Sequence, residues 1–151
     1  MKRIYLIVFA LTISNIAKAS PERPLNVVLK GNSVCLFTND KRSSPYKGRI
    51  YVYMGEVYPD KNYKTSYSKL YINISSPIEQ LDCIGIDTSY FKSNVPYDIS
   101  LDMRPPYATR ICLDKAIKPF VIKNVVNGFE CENKLLNKEK DGFFQRLFNL
   151  M

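Results

Sequence analysis

The sequence predicts an all-β protein, an immunoglobulin-like antiparallel β-sandwich of seven to eight strands with a short C-terminal amphipathic helix. Short β-rich runs recur at intervals of about ten to fifteen residues between turn residues, which is the spacing of strands in a sandwich. Several runs alternate apolar and polar residues, and no long helical period occurs between residues 20 and 130. A chain of 151 residues has the size of one domain. A small barrel is the alternative architecture.

The first nineteen residues have the pattern of a secretory signal peptide. Lys2 and Arg3 precede a ten-residue apolar stretch, residues 4–13, and the small residues Ala17 and Ala19 follow it. A membrane-spanning helix needs about 20 residues, so this stretch is too short to cross a membrane. We therefore expect an exported protein that is cleaved after Ala19, and no cysteine stands at the cleavage point for lipid attachment.

Eight runs are predicted to be strands of one β-sandwich domain, residues 20–130. Gly31-Asn32 joins the first two runs as a hairpin, and loops with Pro45 and Pro59 bound the third. Proline also breaks the chain near Pro77 and at Pro105-Pro106. The predicted strands are residues 25–30, 33–38, 49–54, 67–74, 81–86, 97–103, 108–113 and 120–126.

Alternation divides three of these strands into a core face and an exposed face, because successive side chains of a strand point to opposite sides. We expect the aliphatic sets to form the core, since burial of each such side chain contributes about 1.5–3 kcal/mol. The predicted core sets are Ile50, Val52 and Met54; Leu70, Ile72 and Ile74; and Tyr97, Ile99, Leu101 and Met103.

All four cysteines lie after the predicted cleavage site, and their even number indicates disulfides in an oxidising compartment. Four cysteines allow three connectivities. Cys35 and Cys83 lie in strands that can face each other across the core of a sandwich, so we predict a Cys35–Cys83 bond. The second predicted bond, Cys112–Cys131, ties a late strand to the start of the C-terminal tail.

The tail, residues 131–151, differs from the rest of the chain. Its apolar residues fall on one side of a helix of about two to three turns. A helix this short is marginal alone in water. It is expected to dock on the domain itself, on a partner or on a membrane surface, and the sequence leaves these three open. The apolar stripe comprises Phe143, Phe144, Leu147, Phe148 and Met151.

The composition excludes several kinds of chemistry. The chain has no histidine, so a Ser-His-Asp triad, a Cys-His dyad and histidine-based metal sites are absent. Asp98 and Asp102 share a strand face at roughly 13 Å, too far apart for a glycosidase carboxylate pair. Removal of residues 1–19 takes away three bases and no acid, which leaves 19 bases against 14 acids, a net charge of +5. We expect a protein that is not an enzyme and binds no cofactor, metal or nucleic acid.

Tyrosine is the most informative residue type that remains, with eleven copies in the chain. Tyrosine offers a large rigid contact area with one polar tip and is frequent in binding surfaces. The alternative is that the tyrosines only pair across strands and stiffen the sheet. Tyr58 and Tyr63, in the loop after the third strand, could extend the patch. The candidate binding surface comprises Arg49, Tyr51, Tyr53, Tyr67, Lys69 and Tyr71.

Three runs resemble those of the type VI secretion immunity proteins, which are small periplasmic lipoproteins. Residues 32–37 (NSVCLF) resemble the first cysteine strand of that family, residues 81–84 (LDCI) its later cysteine strand, and residues 95–101 (VPYDISL) its tyrosine strand. The resemblance covers roughly residues 24–125. The chain departs from the family in lacking the lipid-attachment cysteine and in adding Cys112, Cys131 and the apolar tail.

The resemblance implies a periplasmic protein that neutralises a toxic secretion-system effector by direct binding, with the effector encoded nearby. It carries no catalytic residues over to this chain. The alternative is a non-enzymatic binding module of the envelope, such as an adhesin, a chaperone-like domain or an accessory domain. A chaperone would bind by strand addition at an exposed sheet edge.

Overall fold

The computed structural model describes residues 22–60 and 63–133, and this part of the chain is built of β-strands. The all-β prediction is confirmed. Residues 1–19 and the predicted helix of the tail lie outside the described residues. Two short 3₁₀ turns occur at Gln80–Asp82 and Thr88–Tyr90. The strands are β1 (Arg23–Pro24), β2 (Asn26–Lys30), β3 (Ser33–Phe37), β4 (Arg49–Val57), β5 (Tyr63–Ile72), β6 (Ile84–Asp87), β7 (Pro96–Asp102), β8 (Tyr107–Asp114), β9 (Val121–Val126) and β10 (Glu130–Cys131).

The described strands form two sheets of unequal width. The large sheet has the order β10-β9-β8-β7-β4-β5, and β1 pairs in parallel with β8 beside it. The small sheet has the order β2-β3-β6. Every other pairing between named strands is antiparallel. Neither sheet closes on itself within the described residues, so the barrel alternative does not hold.

The inner faces of both sheets contribute to one hydrophobic core. Val34 and Ile86 of the small sheet and Val52 and Leu101 of the large sheet are fully buried in it. The predicted inner sets of β4 (Ile50, Val52 and Met54) and of the strand after Pro96 (Tyr97, Ile99, Leu101 and Met103) are confirmed. These two strands pair directly, so their apolar faces form the middle of the large sheet.

The face assignment of the predicted fourth strand is wrong. In β5, Leu70 is 47% exposed and Ile72 is 57% exposed, whereas Tyr67 and Tyr71 are partly buried against the core. Pairing with β4 causes this inversion, because Tyr71 stands opposite the buried Ile50, and directly paired residues share a face. Ile74, the third member of the predicted set, lies beyond the end of β5 and does pack against the core.

A β-bulge at Ser66 then reverses the alternation within β5. Met54 pairs with Tyr67, but the next residue of β4, Gly55, pairs with Thr65, so Ser66 is the extra residue. Odd-numbered residues of β5 that follow the bulge face the core, whereas odd-numbered residues that precede it face outwards. The bulge lies in a segment that the sequence predicts as loop, because β4 continues to Val57 and β5 starts already at Tyr63.

The predicted strand 81–86 is correct only in its second half. Leu81 lies in a 3₁₀ turn and is 82% exposed, and β6 begins at Ile84. The turn contacts β3 and lies on the outer side of the small sheet.

Both predicted disulfides, Cys35–Cys83 and Cys112–Cys131, are confirmed. The expected position of the first one is wrong, because it does not cross the core. Cys35 pairs with Val28 and Gly85 on the outer side of the small sheet, where it is bonded to the segment that leads into β6. Two disulfides indicate an oxidising extracellular or periplasmic environment. Within residues 22–60 and 63–133, no helix has the length and apolar character needed to cross a membrane.

Candidate functional site

The outer face of β4 and β5 carries an exposed group of large aromatic and aliphatic side chains, which we call the tyrosine face. Its members are Tyr51, Tyr53, Tyr63, Leu70 and Ile72. Tyr51 pairs across the strands with Leu70, so the aromatic and aliphatic halves adjoin. Tyr51 is 40% exposed and Tyr63 is 44% exposed. Large apolar side chains clustered on a surface are typical of interaction sites, whereas single exposed ones are ordinary.

Stacking holds the three tyrosines of this face in a row. The ring centroids of Tyr51 and Tyr53 are 6.5 Å apart, and those of Tyr53 and Tyr63 are 5.6 Å apart with nearly parallel planes. The Tyr53 hydroxyl also shares a hydrogen bond of 2.7 Å with the Thr65 hydroxyl. Burial and the neighbouring Tyr53 raise the pKa of the Tyr63 phenol.

Glycine at position 55 makes room for the Tyr63 ring. A Cβ atom on Gly55 would overlap ring atoms of Tyr63, so the absence of a side chain lets the ring lie flat on β4. The bulge at Ser66 is the second requirement, because it turns Tyr63 to the outer face while Tyr67 points to the core. The row of three rings therefore depends on one glycine and one bulge.

An arginine on β8 borders the tyrosine face. Arg110 donates two hydrogen bonds to the carboxylate of Asp98, at 2.5 and 2.7 Å, and a third from Nη1 to the carbonyl of Gly128 at 2.8 Å. The bond to Asp98 raises the pKa of Arg110 further. This arginine fixes the turn between β9 and β10 against the outer face of the sheet. Asp98 is therefore engaged in a structural ion pair.

The structure divides the predicted binding surface between two faces. Arg49 lies on the outer face of the sheet together with Tyr51 and Tyr53, which are members of the tyrosine face. The other three, Tyr67, Lys69 and Tyr71, stand opposite buried residues of β4 and belong to the inner side. Tyr63, the suggested extension of the patch, does join the outer group.

The inner three residues form a cluster of their own with Tyr90. The hydroxyls of Tyr67 and Tyr71 are 3.1 Å apart, and the Tyr67 ring meets the Tyr90 ring edge to face at 4.9 Å. Lys69 Nζ lies 4.7 Å from the centroid of the Tyr71 ring. Burial raises the pKa of Tyr67 to about 12. Tyr67 and Tyr71 pack against the hydrophobic core, so this cluster covers part of the core at β5.

At one end of the tyrosine face lies a group of cations, of which the predicted binding surface contains only Arg49. We call Tyr46, Lys47, Arg49 and Arg104 the basic corner. Arg49 pairs with Ile72 across the strands and so connects the two regions. The Arg104 guanidinium carbon lies 4.3 Å from the centroid of the Tyr46 ring, and Lys47 Nζ lies 5.5 Å from it. No local pattern connects Arg104 with this group, because Arg104 is more than fifty residues from Tyr46.

The described carboxylates with perturbed pKa values have structural partners. Burial opposes ionisation of Glu56, yet hydrogen bonds from Tyr58 and Lys92 hold its pKa below the ordinary value. A hydrogen bond from Lys123, 2.6 Å long and largely buried, lowers the pKa of Asp114. Tyr58, the other suggested extension of the patch, thus serves Glu56 instead of the tyrosine face.

A third carboxylate, Asp40, binds both nearby arginines. The backbone and side chain of Arg42 donate to it, as do Arg23 and the Tyr107 hydroxyl, and its pKa is lowered. A groove of about 500 Å³ lies beside this cluster. These hydrogen bonds hold β1 against the loop after β3. Among the described residues, no three cysteine, aspartate or glutamate side chains are grouped to bind a metal ion.

The predicted tail contacts, Phe143, Phe144, Leu147 and Phe148, lie outside the described residues. Comparison of the chain with protein-family models, curated proteins and solved structures finds no match. The candidate site is accordingly defined by geometry alone, as an aromatic and aliphatic surface with a basic end.

Proposed function

We propose that this chain is a periplasmic immunity-type protein, which neutralises a toxic secretion-system effector by binding it through the tyrosine face. The observation that supports this proposal is the exposure of Tyr51, Tyr63, Leu70 and Ile72 on one continuous, rigidly stacked surface. Aromatic residues of this kind supply most of the energy in protein interfaces, because they bury much area at little cost in side-chain entropy. An apolar centre with a polar border is the usual anatomy of such an interface.

The proposed fold is an immunoglobulin-like sandwich. The order β2-β3-β6 corresponds to strands A, B and E of that fold, and the order β8-β7-β4-β5 corresponds to G, F, C and C′. Strand D has no counterpart among the described strands. In this arrangement the tyrosine face is the outer surface of C and C′, a flat sheet surface suited to a folded protein partner.

The edge strand β5 is poorly suited to binding by strand addition. By register, Lys64 stands beside the inward-facing Glu56 and Lys69 beside the buried Val52, so both lysines lie on the inner side of the edge. Inward-pointing lysines and a bulge are the features by which natural sheets block edge pairing. This observation favours the face of the sheet over its edge as the binding site.

An envelope binding module that accepts a strand at β6 is the second candidate. A groove of about 450 Å³ lies beside β6 and is lined by Tyr71, Ile74, Ile84 and Gly85 among others. An extended segment at this edge would occupy the place of strand D. However, β6 has only four residues, which offers few backbone hydrogen bonds for strand addition.

We further propose that residues 1–19 direct export and are removed after Ala19, which places the mature chain in the periplasm. The two disulfides support this assignment, because such bonds persist in oxidising compartments. The oxidising periplasm is also where an exported inhibitor would meet an effector that acts on the cell envelope.

Co-elution of residues 20–151 with the product of the adjacent reading frame tests the proposed function. We expect a stable complex, and rescue of cells that are poisoned by that product in the periplasm. The double variant Tyr51→Ser/Tyr63→Ser should weaken the complex by at least about thirtyfold, as expected for central aromatic residues of an interface. Tyr90→Ser is the matched control, because Tyr90 is equally exposed but lies in the inner cluster.

Absence of a complex at micromolar concentrations, or absence of rescue, would contradict the immunity function. A complex that survives the double variant but is lost in Tyr90→Ser would place the binding site at the inner cluster, beside β6. That result would favour the second candidate.

A further inference from the structure

The basic corner is built on a backbone that fixes the position of its main arginine. The backbone groups of Ser44 and Arg104 exchange two hydrogen bonds of 2.9 Å, which join the loop after β3 to the end of β7. Arg49 donates its backbone N–H to the Tyr46 carbonyl at 3.0 Å, which closes a tight turn. Tyr46 and Arg104 are thereby held side by side, and the guanidinium lies over the ring.

The cations of the basic corner have no carboxylate partner among the described residues. Arg104, Arg49 and Lys47 take part in none of the ion pairs found there. Arg42, by contrast, is also exposed but is bound to Asp40. Asp102 lies opposite Tyr51 and brings one negative charge to this end of the sheet. The three cations of the basic corner outnumber it, so the net charge of this end is positive.

Stacking on a tyrosine ring uses the face of a guanidinium and leaves its edge available. The N–H groups of the edge form a planar fork that matches the two oxygens of a carboxylate. The ring also limits the rotation of the arginine, so that less side-chain entropy is lost on binding. The contact found for the Arg104 side chain among the described residues is the one with the Tyr46 ring, so its N–H groups are open to a ligand.

We propose that the basic corner is a carboxylate-binding site, in which Arg104, stacked on Tyr46, receives an aspartate or glutamate side chain of the partner protein. Arg49 and Lys47 add positive charge around the same position. This proposal rests on the proposed function and specifies the partner: an acidic surface whose apolar portion covers the tyrosine face. The partner's acidic groups would dock at one end, and Arg49 connects that end to Ile72.

Hexaglutamate serves as a probe that needs no knowledge of the partner. We would titrate it into ¹⁵N-labelled protein and follow the Nε–Hε signals of the arginines by NMR. The Arg104 signal is expected to shift most and to saturate, with smaller shifts at Arg49. Salt at roughly 0.5 M should weaken the effect, because the interaction is between exposed charges.

Three variants separate the stacked arginine from general positive charge. Arg104→Lys keeps the charge but loses the planar fork, and should weaken hexaglutamate binding at least about fivefold. Tyr46→Leu should weaken it at least about threefold, because the guanidinium loses the ring that orients it. Arg42→Lys is the matched control and should leave binding unchanged. Circular dichroism spectra would confirm that each variant is folded.

Equal shifts at Arg42 and Arg104, or unchanged binding by Arg104→Lys, would overturn the proposal. Neither result affects the co-elution experiment, which can still show a complex through the tyrosine face. Conversely, saturable binding of hexaglutamate at Arg104 together with failure of co-elution would contradict the immunity function and leave the carboxylate site standing.

Discussion

Replacement of Gly55 by alanine tests how the tyrosine face is held together. The new methyl group would overlap the Tyr63 ring, so the ring must swing away from β4 and lose its stacking on Tyr53. Loss of this stack and of the covered ring surface costs about 1–2 kcal/mol. Alanine also restricts the unfolded chain more than glycine does, which stabilises the folded state by about 0.4–1 kcal/mol, since residue 55 has an ordinary strand conformation that alanine can adopt. We expect the free energy of unfolding to fall by about 1 kcal/mol, or the melting temperature by about 4 °C.

The second half of the experiment repeats the change in a Tyr63→Ala background. No ring is then displaced, so Gly55→Ala should leave stability unchanged or raise it by about 0.5 kcal/mol. Urea unfolding of the four proteins, followed by circular dichroism, gives a coupling energy, for which we expect about 1–1.5 kcal/mol. If Gly55→Ala costs the same with and without the tyrosine ring, the two residues are not in contact and the reasoning is refuted.

Two further predictions concern the inverted face of β5 and the paired carboxylates. Leu70→Ser should change the free energy of unfolding by less than about 0.5 kcal/mol, whereas Tyr71→Ser should lower it by about 1–3 kcal/mol. Urea unfolding measures both changes. If Leu70→Ser is the more destabilising variant, then Leu70 and not Tyr71 faces the core. The pKa values of two carboxylates are lower in the folded chain than in the unfolded chain. The hydrogen bond from Lys123 lowers the pKa of Asp114, and hydrogen bonds from Tyr58 and Lys92 lower that of Glu56 against the effect of burial. The stability that these two groups contribute is therefore complete above their unfolded pKa values, near pH 4, and is lost as the pH falls through their folded values. The melting temperature should therefore stay level from pH 7 to about pH 5 and drop towards pH 3, and a melting temperature that rises on acidification would contradict this assignment.

The features that follow from local alternation could be predicted from the sequence. The runs around Val52 and Leu101 alternate without interruption, and each pairs with a strand that does the same, so the inner faces were identified correctly. The disulfide pairs also agreed with the prediction. Burial of an aliphatic side chain outweighs other local terms in such strands, which is why a simple period of two suffices.

The features that depend on pairing between strands could not be predicted. Leu70 and Ile72 are the more apolar set of β5, yet the register with β4 turns them outwards, and the tyrosines of the other set cover the core. In β5 the pairing partner, and not the strand's own alternation, decides which side is inner. The bulge at Ser66 could not be predicted for the same reason, because a residue of one strand is extra only relative to the strand with which it pairs. Of the basic corner only Arg49 was predicted, because Arg104 reaches Tyr46 through the tertiary fold.

The lysines and the bulge of β5 have a consequence for the stoichiometry of any complex. A sheet with an open edge can add strand after strand and grow without limit, and an apolar face beside such an edge would promote that growth. Because Lys64, Ser66 and Lys69 block lateral pairing along β5, contacts made by the adjacent tyrosine face do not spread into the sheet edge. We therefore expect that a complex made through this face does not grow by strand addition along β5.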